Sequence, residues 1–401
     1  MKIALNIEWI GARRGGAEKY AGIVARALLA AGHDVHLFAR GVDSGEVPVG
    51  TPIHPVHTTE PPGLGWSRTY RFAAASDRAL SGHTFDLVVG FNKTWRQDVY
   101  VAVAGAHPAA VEHGLRRFRN PLRRAAHRLG KWLSPKQWLF SAIERRQFGR
   151  GAPPLHVVAP SDFSARHFRE HHGVRPENVT TVYNGIEPRA ATLDTARLRT
   201  EFRRSHGFRS DQTVVLFSAR NYALKGLEPL LEAFAAVARL RPRAMLAACG
   251  SRRDGVFRRQ ARRLGIAEQV RFLGFVDDVQ AAMAGGDVFA FPTFYDPCSL
   301  VVPEAMSFSL PVITTAVNGA AELIRPGVDG FVIDEAWNIG AWSEQLGALC
   351  DDEALRRRVG AAAAKSAEAS AMRHRLHELL AVIRRVAEMK NNHASSPRRA
   401  A

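Results

Sequence analysis

Residues 2–39 read KIALNIEWIGARRGGAEKYAGIVARALLAAGHDVHLFA, and the pattern of this segment predicts the fold of the chain. Its apolar residues predict a short buried strand over residues 2–7, a Gly/Arg loop, and then a helix over residues 17–31. Gly32 stands where a glycine commonly ends a helix, and residues 34–39 predict a second strand. Strand, loop, helix and strand in this order form a βαβ unit, and such units build a parallel sheet.

The same alternation returns in the second half of the chain. It begins with a predicted strand at 213–218 and a helix at 227–240, and it continues to a strand at 288–291. Between the two regions, residues 184–211 break the pattern with Gly, Pro and charged residues, so the hinge is predicted there. The predicted fold is α/β, with two Rossmann-like domains whose carboxyl strand ends face each other across a ligand-binding cleft.

The predicted organisation has four parts. They are a first Rossmann-like domain at 1–188, a second at 189–370, a helix at 371–390 that can pack back on the first domain, and a disordered tail at 391–401.

The composition of the chain excludes some classes of protein and shows that the positive charge is concentrated in one region. Three cysteines without CxxC spacing indicate neither a disulfide framework nor a zinc site. No apolar run reaches the roughly 20 residues of a membrane span and no secretion signal is evident, so a cytoplasmic location is expected. Residues 101–150 hold 11 Lys or Arg against 2 Asp or Glu, which is +9 of a net charge of +17.

Aromatic residues interrupt the cations in the part of this region that begins at Arg116 and ends at Arg150. Three interpretations fit: solvated helix faces, nucleic-acid binding, or docking on an anionic membrane. No RNA- or DNA-binding module accompanies the charge, which disfavours nucleic acid.

The candidate site centres on residues 291–315, which read FPTFYDPCSLVVPEAMSFSLPVITT. A strand leads into a loop with Asp296, a helix follows, and Glu304 stands eight residues after Asp296, so both acids are expected to face one cleft. The amides of Ser299 and Leu300 are expected at the helix N-terminus, where unpaired N–H groups and the helix dipole favour a phosphate.

Two further segments contribute candidate ligands for a diphosphate. Residues 217–234 read FSARNYALKGLEPLLEAF, where Arg220 and Lys225 end a strand-to-helix loop and can each direct a cation at phosphate. In the first domain, Gly15 and Gly16 let the backbone approach a ligand closely. They are not the full G-x-G-x-x-G fingerprint, so no nicotinamide site is predicted.

From Glu304 onward the sequence reads EAMSFSLPVITTAVNGAAELIRPGVDGFVI, and with Asp296, Arg220 and Lys225 it resembles glycosyltransferase family four. The resemblance implies a GT-B fold and a retaining enzyme that uses a nucleotide-sugar, with UDP-glucose as the expected donor and no separate cofactor. No DxD motif is evident, so no obligatory metal is expected. It places Glu304 on the nucleotide ribose and Asp296 on the sugar hydroxyls. Gly250 and Val276 fall in its phosphate and base loops. The family usually has Glu where Asp296 stands and Gly where Ser309 stands.

Residues 85–114 narrow the resemblance. They read FDLVVGFNKTWRQDVYVAVAGAHPAAVEHG, and the FNK and DVY elements are similar to the lipopolysaccharide core glucosyltransferases. This subgroup implies a lipid-linked saccharide acceptor, a peripheral location on the inner face of the cytoplasmic membrane, and His107 against the transferred sugar with Asp98 nearby. Two alternatives remain open at this point: a nucleotide-sugar epimerase with the same two-domain layout, and a non-enzymatic nucleic-acid-binding protein.

Overall fold

The structure is a computed structural model, and it describes residues 1–401 except 12–15, 60–63, 92, 150–151, 153, 188–189 and 396–401. The chain forms two compact units. The first comprises residues 1–182 and 375–401, and the second comprises residues 183–374.

The first unit is built on a seven-stranded parallel sheet with the order β5-β3-β1-β6-β7-β8-β9, and β2 and β4 form a separate parallel pair. Its strands are β1 (Lys2–Asn6), β2 (Trp9–Ile10), β3 (Asp34–Ala39), β4 (Gly41–Val42), β5 (Ile53–Pro55), β6 (Leu87–Phe91), β7 (Val99–Val101), β8 (His156–Ala159) and β9 (Val179–Thr181). Its helices are α1 (Gly16–Ala30), α2 (Arg68–Ser81), α3 (His107–Leu115), α4 (Pro121–Trp132), α5 (Pro135–Phe148) and α6 (Asp162–His172).

Helix α1 shows why this sheet acquires a core. Ala21, Val24, Ala25 and Leu28 are buried, at spacings of three, four and seven residues, so they form one stripe along the helix. The stripe packs in the same apolar cluster as Ile3 and the other inward residues of the central strands.

The second unit has a six-stranded parallel sheet with the order β12-β11-β10-β13-β14-β15. Its strands are β10 (Thr213–Ser218), β11 (Ala244–Cys249), β12 (Val270–Gly274), β13 (Val288–Phe291), β14 (Val312–Thr315) and β15 (Phe331–Ile333). Its helices are α7 (Thr195–Ser205), α8 (Leu227–Leu240), α9 (Gly255–Arg263), α10 (Val279–Gly285), α11 (Val301–Ser307), α12 (Ile339–Asp351) and α13 (Glu353–Glu368).

The last helix, α14 (Met372–Ser395), begins in the second unit and continues into the first. Its apolar side chains Leu379, Ile383 and Ala387 are buried in the core of the first unit. The helix includes residues 391–395, the beginning of the predicted disordered tail, while residues 396–401 lie outside the described residues.

Each main sheet reverses its direction of growth once, and the reversal determines where a crevice forms. In the first sheet the reversal lies between β1 and β6, and in the second between β10 and β13. The loops after two such strands diverge to opposite faces and leave a crevice at the carboxyl edge, where open α/β sheets bind ligands. In the second unit these are the loops that carry Lys225 and Asp296.

Ser309 carries local backbone strain. Its φ is +58°, in the left-handed region, where no other non-glycine residue of the described ranges lies. A left-handed conformation costs a residue with a Cβ about 1–2 kcal/mol. The neighbouring helix holds it in place, since a Cβ on Gly360 would come within 2.1 Å of the Ser309 carbonyl oxygen. The glycine usual at this position in family four is therefore explained by backbone geometry.

We expect Ser309→Gly to stabilise the second unit by about 1 kcal/mol, because relief of the strain exceeds the entropy that glycine adds to the unfolded chain. Thermal denaturation should show a rise in Tm of roughly 2–4 °C. Ser210→Gly is the matched control, since Ser210 is exposed in the same unit and does not have a positive φ. A fall in Tm for Ser309→Gly, like that expected for the control, would contradict the strain.

Candidate active site

An ion pair between Lys225 and Asp296 lies at the reversal point of the second sheet. The Lys225 Nζ is 2.6 Å from Asp296 Oδ2 and also donates to the backbone carbonyl of Tyr295 at 3.0 Å. Both side chains are largely but not fully buried, with 19% and 15% of their surfaces exposed. The two residues belong to separate predicted segments, and the structure brings them together across 71 positions of chain. The pair presents a cation and an acid side by side, a combination suited to a phosphate and a hydroxyl-rich group.

Two glycines permit this arrangement. Gly226, directly after Lys225, has φ +81°, and a Cβ there would lie 1.9 Å from the carbonyl oxygen of Pro292. Gly250 has φ +103°, and a Cβ there would lie 2.6 Å from the carbonyl oxygen of Ala219. The loops can approach so closely because these positions lack side chains. The Lys-Gly pair in the sequence therefore has a steric basis.

The other candidates of the second unit lie along the same edge of the sheet. Arg220 follows β10 and is exposed, Gly250 follows β11, and Val276 follows β12 and is half-buried. The Gly250 N–H donates to the carbonyl of Gly274 at 2.7 Å, which ties the loops after β11 and β12 together. Four neighbouring strands thus end in loops that carry predicted site residues, with Lys225 and Asp296 at the centre.

Helix α11 carries Glu304, and the predicted phosphate-binding amides of Ser299 and Leu300 lie directly before its first residue. Glu304 is half-buried, and its N–H donates to the Leu300 carbonyl at 3.0 Å within the helix. Leu300 is the N-cap residue and is half-buried. Ser299 requires a correction: its N–H donates to Asn318 Oδ1 at 3.3 Å, so this amide is already paired within the domain rather than unpaired as predicted.

Asn318 is a residue that sequence reasoning missed. Its side chain is fully buried, accepts hydrogen bonds from the N–H groups of Ser299 and Ala320, and donates to the hydroxyls of Ser299 and Thr314 at 2.9 and 3.0 Å. Because a buried amide is stable only when its polar atoms are paired, this network rigidly fixes the loop after β13. The available signal was the Asn-Gly pair at residues 318–319, three residues after the end of β14.

Asn184 was also missed as a site residue. It was assigned to the hinge, but its side-chain Nδ2 donates to the carbonyl of Cys298 at 2.7 Å, two residues after Asp296. The first residues of the second unit thus brace the acidic loop. Asn184 has a similar signal in the sequence, since it precedes Gly185 at the end of a strand-like run.

In the first unit, His107 lies beyond the carboxyl end of β7, as the first residue of α3. Burial lowers the pKa of His107 to about 4, and Lys93 adds to this effect, so the imidazole is neutral near pH 7. A neutral imidazole can exchange hydrogen bonds with a hydroxyl group but does not supply a positive charge. Gly16 is the exposed first residue of α1, and Gly15 lies outside the described residues.

The prediction of Asp98 as a catalytic residue is corrected by its position. Asp98 directly precedes β7 and therefore lies at the amino edge of the parallel sheet, whereas ligands bind at the carboxyl edge. Its Oδ2 accepts hydrogen bonds from the Val88 N–H at 2.7 Å and from Lys390 Nζ at 2.9 Å. Asp98 therefore links β6 and α14, which is a structural role.

The described residues, 1–395 with the gaps given above, contain neither a metal-binding cluster nor a membrane-spanning helix. In those ranges no group of three or more His, Cys, Asp or Glu side chains is arranged to hold a metal ion. Nor does any helix in the described part of the chain have the length and apolar character needed to cross a membrane.

Two family models match the chain in succession. The model described as Glycosyltransferase Family 4 matches residues 14–190. The model described as Glycosyl transferases group 1 matches residues 199–366, within the second unit, and so includes Arg220, Lys225, Asp296 and Glu304.

Individual proteins resemble the chain over most of its length. The lipopolysaccharide glucosyltransferase WaaG of Escherichia coli is 28% identical over 364 residues, which is 90% of each chain. A crystal structure of WaaG superposes with a TM-score of 0.74 at 25% identity, over 91% of this chain and 95% of that one. Anabaena HepE in complex with UDP-glucose has a TM-score of 0.69 at 20% identity, over 96% and 99%, and at this identity the likeness shows the fold.

Proposed function

Since the chain belongs to the glycosyltransferases, with a family 4 domain followed by a group 1 domain, we propose that it transfers a hexose from a UDP-sugar to a lipid-linked saccharide. UDP-glucose is the proposed donor and a lipopolysaccharide core the proposed acceptor. WaaG, 28% identical over 90% of both chains, is a lipopolysaccharide glucosyltransferase, and HepE was solved with UDP-glucose.

The observation that carries the proposal is the Lys225–Asp296 pair at the reversal point of the second sheet. When the bond between the anomeric carbon and the phosphate breaks, negative charge grows on the leaving diphosphate. Lys225 and Arg220 stabilise that charge more strongly in the transition state than in the ground state. Asp296 binds sugar hydroxyls and Glu304 the ribose.

The proposed reaction retains the anomeric configuration. The acceptor hydroxyl attacks the anomeric carbon on the face that the diphosphate leaves, and the departing phosphate oxygen takes its proton. The chain then needs no separate general base. The donor is a substrate, and neither a further cofactor nor a metal is part of the proposal.

Purified protein should be offered UDP-glucose, UDP-galactose, UDP-GlcNAc and GDP-mannose, first alone and then with a lipopolysaccharide core acceptor that lacks its outer hexoses. We expect slow hydrolysis of one UDP-sugar, faster transfer from the same donor, and retention of configuration by NMR of the product. Turnover with none of the four, or conversion of the donor sugar to an epimer without acceptor, would reject the proposal.

We also propose that helix α4 docks the protein on an anionic membrane. None of its described residues is buried, and Asn120 caps it by accepting hydrogen bonds from the N–H groups of Leu122 and Arg123. Five large apolar side chains of α4, the turn that follows it and helix α5 are exposed, and two of them are tryptophans. They are Leu122 (78% exposed), Leu129 (55%), Trp132 (67%), Leu133 (55%) and Trp138 (53%).

The helix is amphipathic. Leu122, Leu129 and Trp132 are separated by seven and three residues and share one face, while Arg123, Arg124, Arg128 and Lys131 supply the cations. Such a helix lies in the membrane interface with its apolar face in the acyl region and its cations at anionic headgroups. The acceptor of the proposed reaction is itself lipid-linked, so docking brings enzyme and substrate to one surface.

We expect the chain to float with vesicles of anionic lipid, to bind neutral vesicles much less, and to lose part of this binding as salt screens the charges. Leu129→Glu combined with Trp132→Glu should weaken binding about tenfold or more, because it places charge on the apolar face. Leu240→Glu is the control, since Leu240 is 77% exposed on α8 in the other unit. Equal flotation with neutral and anionic vesicles would refute the docking.

A further inference from the structure

Glu144 is a buried carboxylate for which neither the catalytic proposal nor the membrane proposal accounts. It lies on α5, and only 2% of its side chain is exposed. A buried charge is tolerated only when it is paired and its oxygen atoms accept hydrogen bonds.

Three groups provide this compensation. Lys93 Nζ lies 2.5 Å from Oε1, and His172 Nε2 lies 3.1 Å from Oε2. The third is the backbone N–H of His107, which donates to Oε1 at 3.0 Å and also lies 3.3 Å from Oε2. Burial alone would raise the pKa of Glu144, but the contact with His172 and the charge and hydrogen bond of Lys93 lower it to about 2, so the carboxylate is ionised throughout the neutral range.

The contact with the His107 amide caps helix α3. The N-cap residue is Ala106, which makes no side-chain hydrogen bond to the first turn. Glu144 supplies the acceptor from another helix, and its negative charge interacts favourably with the helix dipole. The direction in which α3 leaves the carboxyl edge of the sheet is therefore set at His107.

The same helix also supports the His107 ring. The ring packs edge-on against Phe140 with centroids 5.4 Å apart, and Gln137 lies within hydrogen-bonding reach of it. Gln137, Phe140 and Glu144 are separated by three and four residues, so they share one face of α5. Lys93 completes the support, with its Nζ 5.3 Å from the Phe140 centroid. One helix face thus holds both the backbone and the ring of His107.

We infer that Glu144 is a positioning residue that, with Lys93 and Phe140, fixes His107 in the orientation in which it binds a hydroxyl of the transferred sugar. This inference rests on the proposed glycosyl transfer. Glu144 itself does not touch substrate; its effect passes through the His107 amide. Misplacement of a binding group by about 1 Å is enough to lower the rate of a reaction substantially.

Two variants separate positioning from folding. Glu144→Gln preserves the shape of the side chain but leaves Lys93 buried without its counter-ion, so it should lower both stability and kcat/KM. Glu144→Leu combined with Lys93→Met removes both charges, and stability should recover because no unpaired charge remains. The cap on His107 is still missing in this double variant. Its kcat/KM for sugar transfer should therefore stay at least about tenfold low.

Measurements on the full-length chain are Tm, kcat/KM with UDP-glucose, and the Kd for UDP alone. The Kd for UDP should be unchanged in all variants, since UDP lacks the sugar that His107 contacts. Glu112→Gln is the control, an exposed glutamate on α3 that loses the same charge. Wild-type kcat/KM in Glu144→Gln, or joint recovery of Tm and kcat/KM in the double variant, would overturn the inference. Absence of turnover by the wild-type chain would instead overturn the glycosyl transfer, and the inference with it.

Discussion

Lys225→Ala is expected to lower turnover at least ~100-fold, a loss of about 2.7 kcal/mol of transition-state stabilisation. The Lys225 Nζ is held by Asp296 and by the Tyr295 carbonyl at the reversal point of the second sheet, so its charge is already in place before a diphosphate arrives. Preorganised charge of this kind stabilises a leaving group without further rearrangement. Initial rates at saturating UDP-sugar measure the effect.

Folding should suffer only modestly, by about 1 kcal/mol, because Asp296 loses a partner but remains partly accessible to water. Lys225→Met separates charge from packing, since it keeps an unbranched apolar side chain but removes the Nζ that lies 5.7 Å from the Phe291 ring centroid, and it should be as inactive as Lys225→Ala. Lys365→Ala is the control, an exposed lysine on α13 of the same unit. If Lys225→Met turned over at the wild-type rate, the assignment of Lys225 as a catalytic residue would be wrong.

Acid should destabilise the first unit before the second. Burial lowers the pKa of His107, His113 and His156 to about 4. A nearby cation adds to the effect in each case: Lys93 at His107, Arg116 at His113 and Arg385 at His156. A histidine in the unfolded chain has a pKa near 6.5. Between these values the unfolded chain binds protons that the folded unit does not, so stability falls as the pH drops from about 6.5 to about 4. The loss is roughly 1–2 kcal/mol per histidine after allowance for solvent.

Glu144 does not offset this loss. Its pKa is lowered to about 2, so the stability it contributes is fully present above the pKa of an unfolded glutamate and is lost only as the pH falls towards 2. The acid window is thus set by the histidines. The second unit contains 2 of the 16 histidines of the chain, at positions 206 and 374.

Hydrogen exchange at pH 7 and pH 5, resolved by peptide, measures the effect in each unit. We expect protection to fall first in peptides from the first unit. His113→Phe should reduce the acid sensitivity, because it removes a buried titrating group, while His57→Gln, at an exposed position, should not. Constant stability from pH 6.5 to 4.5, or earlier opening of the second unit, would contradict the expectation.

The fold was largely predictable because its elements are short, strongly patterned and regularly alternating. Strand β3, strand β10 and helix α8 have the predicted bounds, since apolar runs end there at glycine, polar or charged residues. The predicted GT-B class of two Rossmann-like domains is confirmed by the two parallel sheets and by the match to WaaG. The resemblance to family four is confirmed by the matching family models.

The site was less predictable because it depends on contacts between distant segments. Pattern alone places Lys225 and Asp296 at strand ends, but their contact follows from β10 and β13 being neighbours in the sheet. Asp98 was misassigned because its nearness to His107 in sequence hid the fact that they lie at opposite ends of β7. The hydrogen bonds of Asn184 and Asn318 have no periodic signal, and Glu144 was hidden within a stretch interpreted by its positive charge.

The path of α14 has a consequence for synthesis of the chain. Residues 375–395 leave the ribosome after the whole second unit, yet Leu379, Ile383 and Ala387 complete the apolar core of the first. Part of the apolar core of the first unit therefore stays uncovered while residues 183–374 are synthesised and fold, because α14 has not yet been made. During that interval the nascent chain exposes a surface that chaperones recognise, and a premature stop near residue 374 would leave it exposed permanently.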